Sequence, residues 1–221
     1  MKLFLQAILK FILGVVLVGL LVFLPAGTFN YLGGLILMGI LFVPMFIAGI
    51  IMLVKNPKLL ASRLNAKEKE KKQDLVVKLS GLMFIAGFIV AGLDYRYKWL
   101  ELPIYVNIIG SVIFILSYIL YAVVLKQNTF LSRTIEVVDT QYVIDTGLYS
   151  LVRHPMYTAT IFLFLAMPLV LGSLLAFVIF MLYPIIIVLR IKNEELVLSR
   201  ELVGYKEYLT KVKYRLIPYI W

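Results

Sequence analysis

The chain has 221 residues, no cysteine, one histidine and a net charge of +10, and 62% of it is hydrophobic. Its mean hydropathy of +0.99 and that apolar share exceed the roughly 45–50% apolar usage of soluble domains, which points to a membrane protein. Without cysteine there is no disulfide, thiolate metal site or cysteine nucleophile, and one histidine rules out a zinc site built on several imidazoles.

Apolar runs of about 18 residues or more read as transmembrane helices. Four are clear, over residues 3–24, 31–54, 75–93 and 103–125. The first contains Lys10 and has no small-residue cleavage site near Leu24-Pro25, so it reads as a retained helix rather than a signal peptide. Gly33-Gly34 in the second suits close helix packing. Between the second and third runs, Lys55, Lys58, Arg63, Lys67, Lys69, Lys71 and Lys72 crowd a loop at 55–74, while the loop at 25–30 carries no charge. By the positive-inside rule the basic loop is cytoplasmic. The amino terminus, the polar segment 126–152 and the tail 191–221 then share that side. The loop at 94–101 balances Arg96 and Lys98 against Asp94 and Glu101 and fits the outside. Charges set beside membrane helices favour anionic lipid headgroups, not nucleic acid, as counter-ions. A solvated helical loop accounts for the run 67–72.

A further apolar block, 157–189, is too long for one crossing. Pro168 and Gly172 interrupt it, which predicts a helical hairpin turning around 168–173. Its first arm, 157–167, would be roughly 17 Å long against a bilayer core of about 30 Å. The expected architecture is therefore all-α: a polytopic transmembrane helical bundle of five or six spans. Residues 1–125 hold four of them; 126–221 hold a cytoplasmic segment, the hairpin at 155–190 and a cytoplasmic tail.

The chemistry-bearing residues gather in that second part. The only histidine stands in Arg153-His154-Pro155-Met156-Tyr157, where a polar segment meets an apolar one. Ionisable groups at membrane depth are costly and mark functional sites by default. Pro155 is also the residue best suited to open a helix, so His154 equally fits a helix anchor. Arg190 and Glu194 stand four residues apart, and an exposed pair at that spacing contributes only about 0.3–0.5 kcal/mol. Tyr149, Tyr157, Tyr205, Tyr208 and Tyr214 fit the aromatic belt of a membrane interface. The chain has no Walker loop, no glycine-rich dinucleotide fingerprint and no serine elbow.

Taken together, Gly147-Leu148-Tyr149, Arg153-His154-Pro155-Met156-Tyr157, the hairpin, Arg190 with Glu194-Glu195, and Gly204-Tyr205-x-x-Tyr208 before Ile217-Pro218 resemble the isoprenylcysteine carboxyl methyltransferase family over residues 128–221. The resemblance implies that 126–221 is a methyltransferase region whose S-adenosylmethionine site is built from the cytoplasmic helix ends. Carried over by position, it implies cofactor contacts from Gln141, Tyr142, Val143, Ile144, Tyr149, His154, Pro155, Met156, Tyr157 and Glu194, with Arg190 facing the methyl acceptor. The expected acceptor is lipid-like and prenylated, and Arg190 and Glu194 are the expected catalytic pair. Two positions depart from the pattern: Gln141 stands where eukaryotic members tend to have histidine, and 134–139 offers no equivalent of their upstream glutamine. Two other readings are a superfamily methyltransferase acting on a phospholipid amine or a thiol, and a non-enzymatic membrane protein. An amine would prefer an acidic partner to Arg190. A transporter would carry polar groups at mid-span, whereas these spans are nearly free of charge apart from Lys10.

Overall fold

The computed structural model describes residues 2–65, 71–132, 134, 137 and 140–221, and of 71 and 72 only the backbone. Lys67 and Lys69, the side chains of Lys71 and Lys72, and most of the 134–139 stretch therefore lie outside the described residues. The described chain is helical: α1 (Lys2–Ala26), α2 (Leu32–Lys55), α3 (Pro57–Leu64), α4 (Lys71–Tyr97), α5 (Ile104–Gln127), a 3-10 turn at Gly147–Ser150, α6 (Pro155–Leu171), α7 (Leu174–Phe180), α8 (Leu182–Glu201) and α9 (Tyr205–Lys211). Five helical stretches have the length and apolarity to cross a membrane: α1, α2, α4, α5, and α7 with α8 taken as one rod. The α7–α8 rod breaks at Met181, because Pro184 in the next turn has no N–H for the Phe180 carbonyl.

The shorter helix α6 settles how the hairpin is built. It runs through Pro168, which is fully buried, and ends at Gly172 with φ +72°. The turn is thus set by the glycine, the residue that takes a left-handed conformation without strain, while the proline sits inside the last helical turn. Ser173 caps α7, its hydroxyl accepting from the Ala176 N–H at 3.2 Å.

Three residues from elsewhere in the bundle grip this turn. The Tyr31 hydroxyl donates to the Leu171 carbonyl (2.5 Å), Asn107 Nδ2 to the Val170 carbonyl (2.9 Å) and the Ser173 hydroxyl to Asp94 Oδ2 (2.6 Å). Tyr31, Asn107 and Asp94 belong to the bundle end away from the basic loop, so α6 passes from one end of the bundle to the other despite its 17 residues. Close approach makes this possible: a Cβ on Gly110 would fall 2.7 Å from Leu169 Cβ, and one on Gly33 2.7 Å from the Val170 carbonyl.

Behind α6 the core is aromatic. Phe84 of α4, Phe164 of α6 and Tyr183 of α8 meet edge to face, with ring centroids 4.8 Å (Phe84–Phe164) and 4.6 Å (Phe164–Tyr183) apart. Facing outward, α1, α2 and α5 expose leucine, isoleucine, valine and phenylalanine along their lengths. Such a surface suits lipid, since soluble monomers rarely expose large contiguous apolar patches. Lys10, the charge inside α1, donates to the Leu64 carbonyl at the end of α3 (2.5 Å), a cation at the negative end of a helix dipole.

Candidate active site

The motif residues and the tail come together at the basic end of the bundle. Val152 to Tyr157 lead into α6, and the tail returns alongside them: the Arg153 N–H donates to the Tyr214 carbonyl and the His154 N–H to the Arg215 carbonyl, both at 2.9 Å. The Thr158 hydroxyl donates to the Leu216 carbonyl at 2.7 Å. The pairing holds His154 at the mouth of α6, where Pro155 occupies the first helical position.

One turn of α8 supplies two carboxylates with different duties. Glu195 points inward and is buried. Its Oε1 lies 2.9 Å from Arg153 Nε as an ion pair and 3.3 Å from His154 Nε2, while its Oε2 accepts from Arg215 Nε at 2.9 Å. Arg215 also covers the Trp221 ring, 5.1 Å from its centroid. Glu195 thus fastens the motif, α8 and the tail to one another. Glu194 turns instead to the cleft. Its Oε2 accepts from the Tyr157 hydroxyl at 2.5 Å, and the same hydroxyl accepts from Arg190 Nε at 2.8 Å. Arg190 and Glu194 are therefore linked through Tyr157, not set as an isolated surface pair. His154 Nδ1 stands 4.0 Å from Glu194 Oε1.

These groups line a cleft of about 830 Å³, counting its part open to solvent. Of the residues expected from the sequence, Gln141, Tyr142, Val143, Ile144, Tyr149, His154, Met156, Tyr157, Arg190 and Glu194 all border it. Pro155 stands behind them as the helix start. Of the first amides of α6, those of Tyr157 and Thr158 both reach the His154 carbonyl, so Met156 is the one position there from which an amide could meet a ligand anion.

The tyrosines overturn one expectation. Tyr149, Tyr157, Tyr205 and Tyr208 are buried and belong to the cleft wall, not to an interfacial belt. The Tyr208 hydroxyl donates to the Tyr149 carbonyl (2.7 Å), and Asn128 Nδ2 donates to the Tyr149 hydroxyl (3.1 Å). Tyr205 also borders the cleft, but its buried hydroxyl has no hydrogen-bond partner among the described residues. Burial pushes the Tyr149, Tyr205 and Tyr208 hydroxyls above the ordinary phenol range, with the Glu194 and Glu195 carboxylates adding to the effect at Tyr205. All three stay protonated and able to donate.

Arg63 is another residue that sequence reading missed. Read from the sequence only as one charge of the basic loop, it bonds the Ser132 carbonyl (3.2 Å), approaches Met156 Sδ (3.9 Å) and meets the Tyr121 hydroxyl. It thereby ties the end of the basic loop to the cleft rim. Nothing in the local pattern around Arg63 signals contacts with residues so far along the chain. Tyr205 and Tyr208 had a signal, the Gly-Tyr-x-x-Tyr spacing.

With this geometry in view, residues 106–200 match the family model for the isoprenylcysteine carboxyl methyltransferase (ICMT) family. Over that stretch the chain is similar to the ICMT family. The match spans α5, the cleft-lining segment, the His154 motif, the hairpin and the carboxylate turn of α8. It stops short of α9 and the tail, which fold onto the motif from outside the matched region. The similarity supports a methyltransferase, and the five long apolar helices have the length and composition of a multi-pass membrane protein. No curated protein matches the chain.

Proposed function

We propose that this protein is an integral-membrane, S-adenosylmethionine-dependent methyltransferase that O-methylates the carboxylate of an isoprenylcysteine or a related prenyl-thio lipid acid at the cytoplasmic side. The observation that carries the reading is one cleft holding a cation and a carboxylate joined through Tyr157, at the basic end of an apolar bundle and inside the matched region.

The residues fit the cofactor. Glu194 offers an acceptor for an ammonium or for ribose hydroxyls. His154 offers a hydrogen bond, and the rings of Tyr149 and Tyr157 offer faces to a positive sulfur. Gln141, Tyr142, Val143 and Ile144 form a wall of the cleft that a flat ring system could line. When bound, S-adenosylmethionine supplies a methyl group made electrophilic by its sulfonium.

A carboxylate acceptor is already ionised at neutral pH, so no side chain has to remove a proton. Alignment and partial exclusion of water are the protein's main contributions. Arg190 presents a planar guanidinium that can hold a carboxylate and turn one oxygen toward the methyl. Its bond to the Tyr157 hydroxyl fixes that guanidinium. The hold has to be moderate, because charge stabilised in the ground state is lost as the bond forms. A cation at this position also argues against an amine acceptor.

Binding of S-adenosylhomocysteine to the detergent-purified protein by calorimetry, beside a His154→Ala, Glu194→Ala double variant, tests the proposal. Binding that the variant loses supports it. Absence of binding in folded wild-type protein would reduce the family relation to a shared fold.

A further inference from the structure

We infer that Tyr205, outside the family-matched region, is a cofactor-binding residue: its hydroxyl donates a hydrogen bond to an acceptor oxygen of the S-adenosyl ligand, beside the group that Glu194 takes. The inference rests on the reading above and deepens it.

Native interiors pair their buried polar groups almost without exception, and an unpaired one calls for an explanation. The hydroxyls of Tyr149, Tyr157 and Tyr208 each have a protein partner. That of Tyr205 has none among the described residues, although the residue is only 4% exposed. Nor can it readily swing out to water. Its ring lies against Tyr208, 5.7 Å between centroids, and Leu202, Val212 and Val143 pack around the pair. Tyr205 is also fixed by its place immediately after Gly204, whose φ of +84° sets the entry into α9. Tyr205 lines the cleft together with Glu194 and Arg153.

The chemistry narrows the ligand group. A protonated phenol carries one O–H donor besides its acceptor lone pairs, and that donor is satisfied only by an acceptor on the ligand. Glu194, on the same wall, is a carboxylate that accepts, so its partner must donate. A ligand that satisfies both presents an acceptor oxygen next to a donor. The amino-acid end of S-adenosylmethionine does this with its carboxylate and ammonium, and its ribose does so with neighbouring hydroxyls.

Phenylalanine at this position removes one oxygen and leaves the ring packing intact. The experiment compares wild type and Tyr205→Phe for the thermal midpoint of the ligand-free protein, and for calorimetric binding of S-adenosylhomocysteine and its decarboxylated analogue. The expected result is a ligand-free midpoint equal to or above wild type, with S-adenosylhomocysteine affinity lower by about five- to tenfold. A loss that disappears with the decarboxylated analogue identifies the partner as the amino-acid carboxylate. A loss that persists identifies a ribose oxygen. Affinity within about twofold of wild type overturns the inference, and so does a lowered ligand-free midpoint, which would give the hydroxyl a structural partner. Failure of the wild type itself to bind would overturn the methyltransferase reading, separately from anything the variant shows.

Discussion

At Tyr157 one hydroxyl serves two opposite charges, accepting from Arg190 and donating to Glu194. Tyr157→Phe keeps the ring and frees both partners. Because small misplacements of reacting groups are expensive, turnover should fall by about ten- to a hundredfold. S-Adenosylhomocysteine affinity, read by calorimetry, should change far less. Arg190→Ala should abolish turnover while cofactor binding survives; loss of binding in that variant would remove Arg190 from the acceptor side. Glu195 predicts a different kind of failure. Glu195→Ala strips a buried carboxylate from Arg153, His154 and Arg215 and should cost about 3–5 kcal/mol of stability, seen as a lowered thermal midpoint before any question of catalysis. The sequence made His154, Arg190 and Glu194 visible because their spacing is local and their setting unusual. The resemblance singles out Glu194 but leaves Glu195 without a role, since adjacent helical positions face different directions only once a neighbour defines inside and outside. Arg63 was hidden for a similar reason: its partners at Ser132 and Met156 lie a long way along the chain.

For single elements, the seating of α6 makes the sharpest demand. Gly110→Ala would press a methyl into Leu169 and the Val170 backbone and should destabilise by about 1–3 kcal/mol. Gly39, where a methyl would meet nothing within 4 Å, is the matched control: Gly39→Ala should leave the midpoint unchanged or raise it slightly, since alanine is the better helix former. Equal effects in the two variants would contradict the packing described. The tail makes a demand of its own. Tyr205 and Tyr208 of the tail, and Tyr149 beside them, have hydroxyl pKa values raised by burial, whereas in the unfolded chain they would ionise near the usual value of about 10. The stability these groups lend is therefore whole below pH about 10 and lost as the pH climbs through their raised values. Thermal midpoints measured from pH 8 to about 11.5 should be level and then fall. Helix positions were legible from hydropathy almost throughout. The proline was misjudged because its buried place in the last helical turn was not visible; the glycine after it, whose backbone allows the turn, gave the true end.

Across the whole molecule, the cysteine-free chain allows a clean test of orientation. Phe29→Cys and Lys213→Cys, both at exposed positions on opposite ends of the bundle, should react with a membrane-impermeant thiol reagent from opposite sides, Lys213→Cys from the cytoplasm. Labelling of both from one side would refute the alternation of the helices. The shortness of α6 carries a consequence for that geometry. The far ends of α5 and α6 are level, since Asn107 bonds the Val170 carbonyl. From there α5 continues to Gln127, while α6 reaches only to Pro155, so at 1.5 Å per residue the motif begins roughly 7 Å deeper than the end of α5. On the proposed reading, the cleft is a well sunk below the end of α5. A prenylated acceptor could bring its head to the methyl donor without drawing its tail out of the bilayer, where each methylene exposed to water would cost about 0.8 kcal/mol. Depth alone would then sort acceptors, since a water-soluble carboxylate of the same head chemistry would have to descend into the well with no anchor to hold it there.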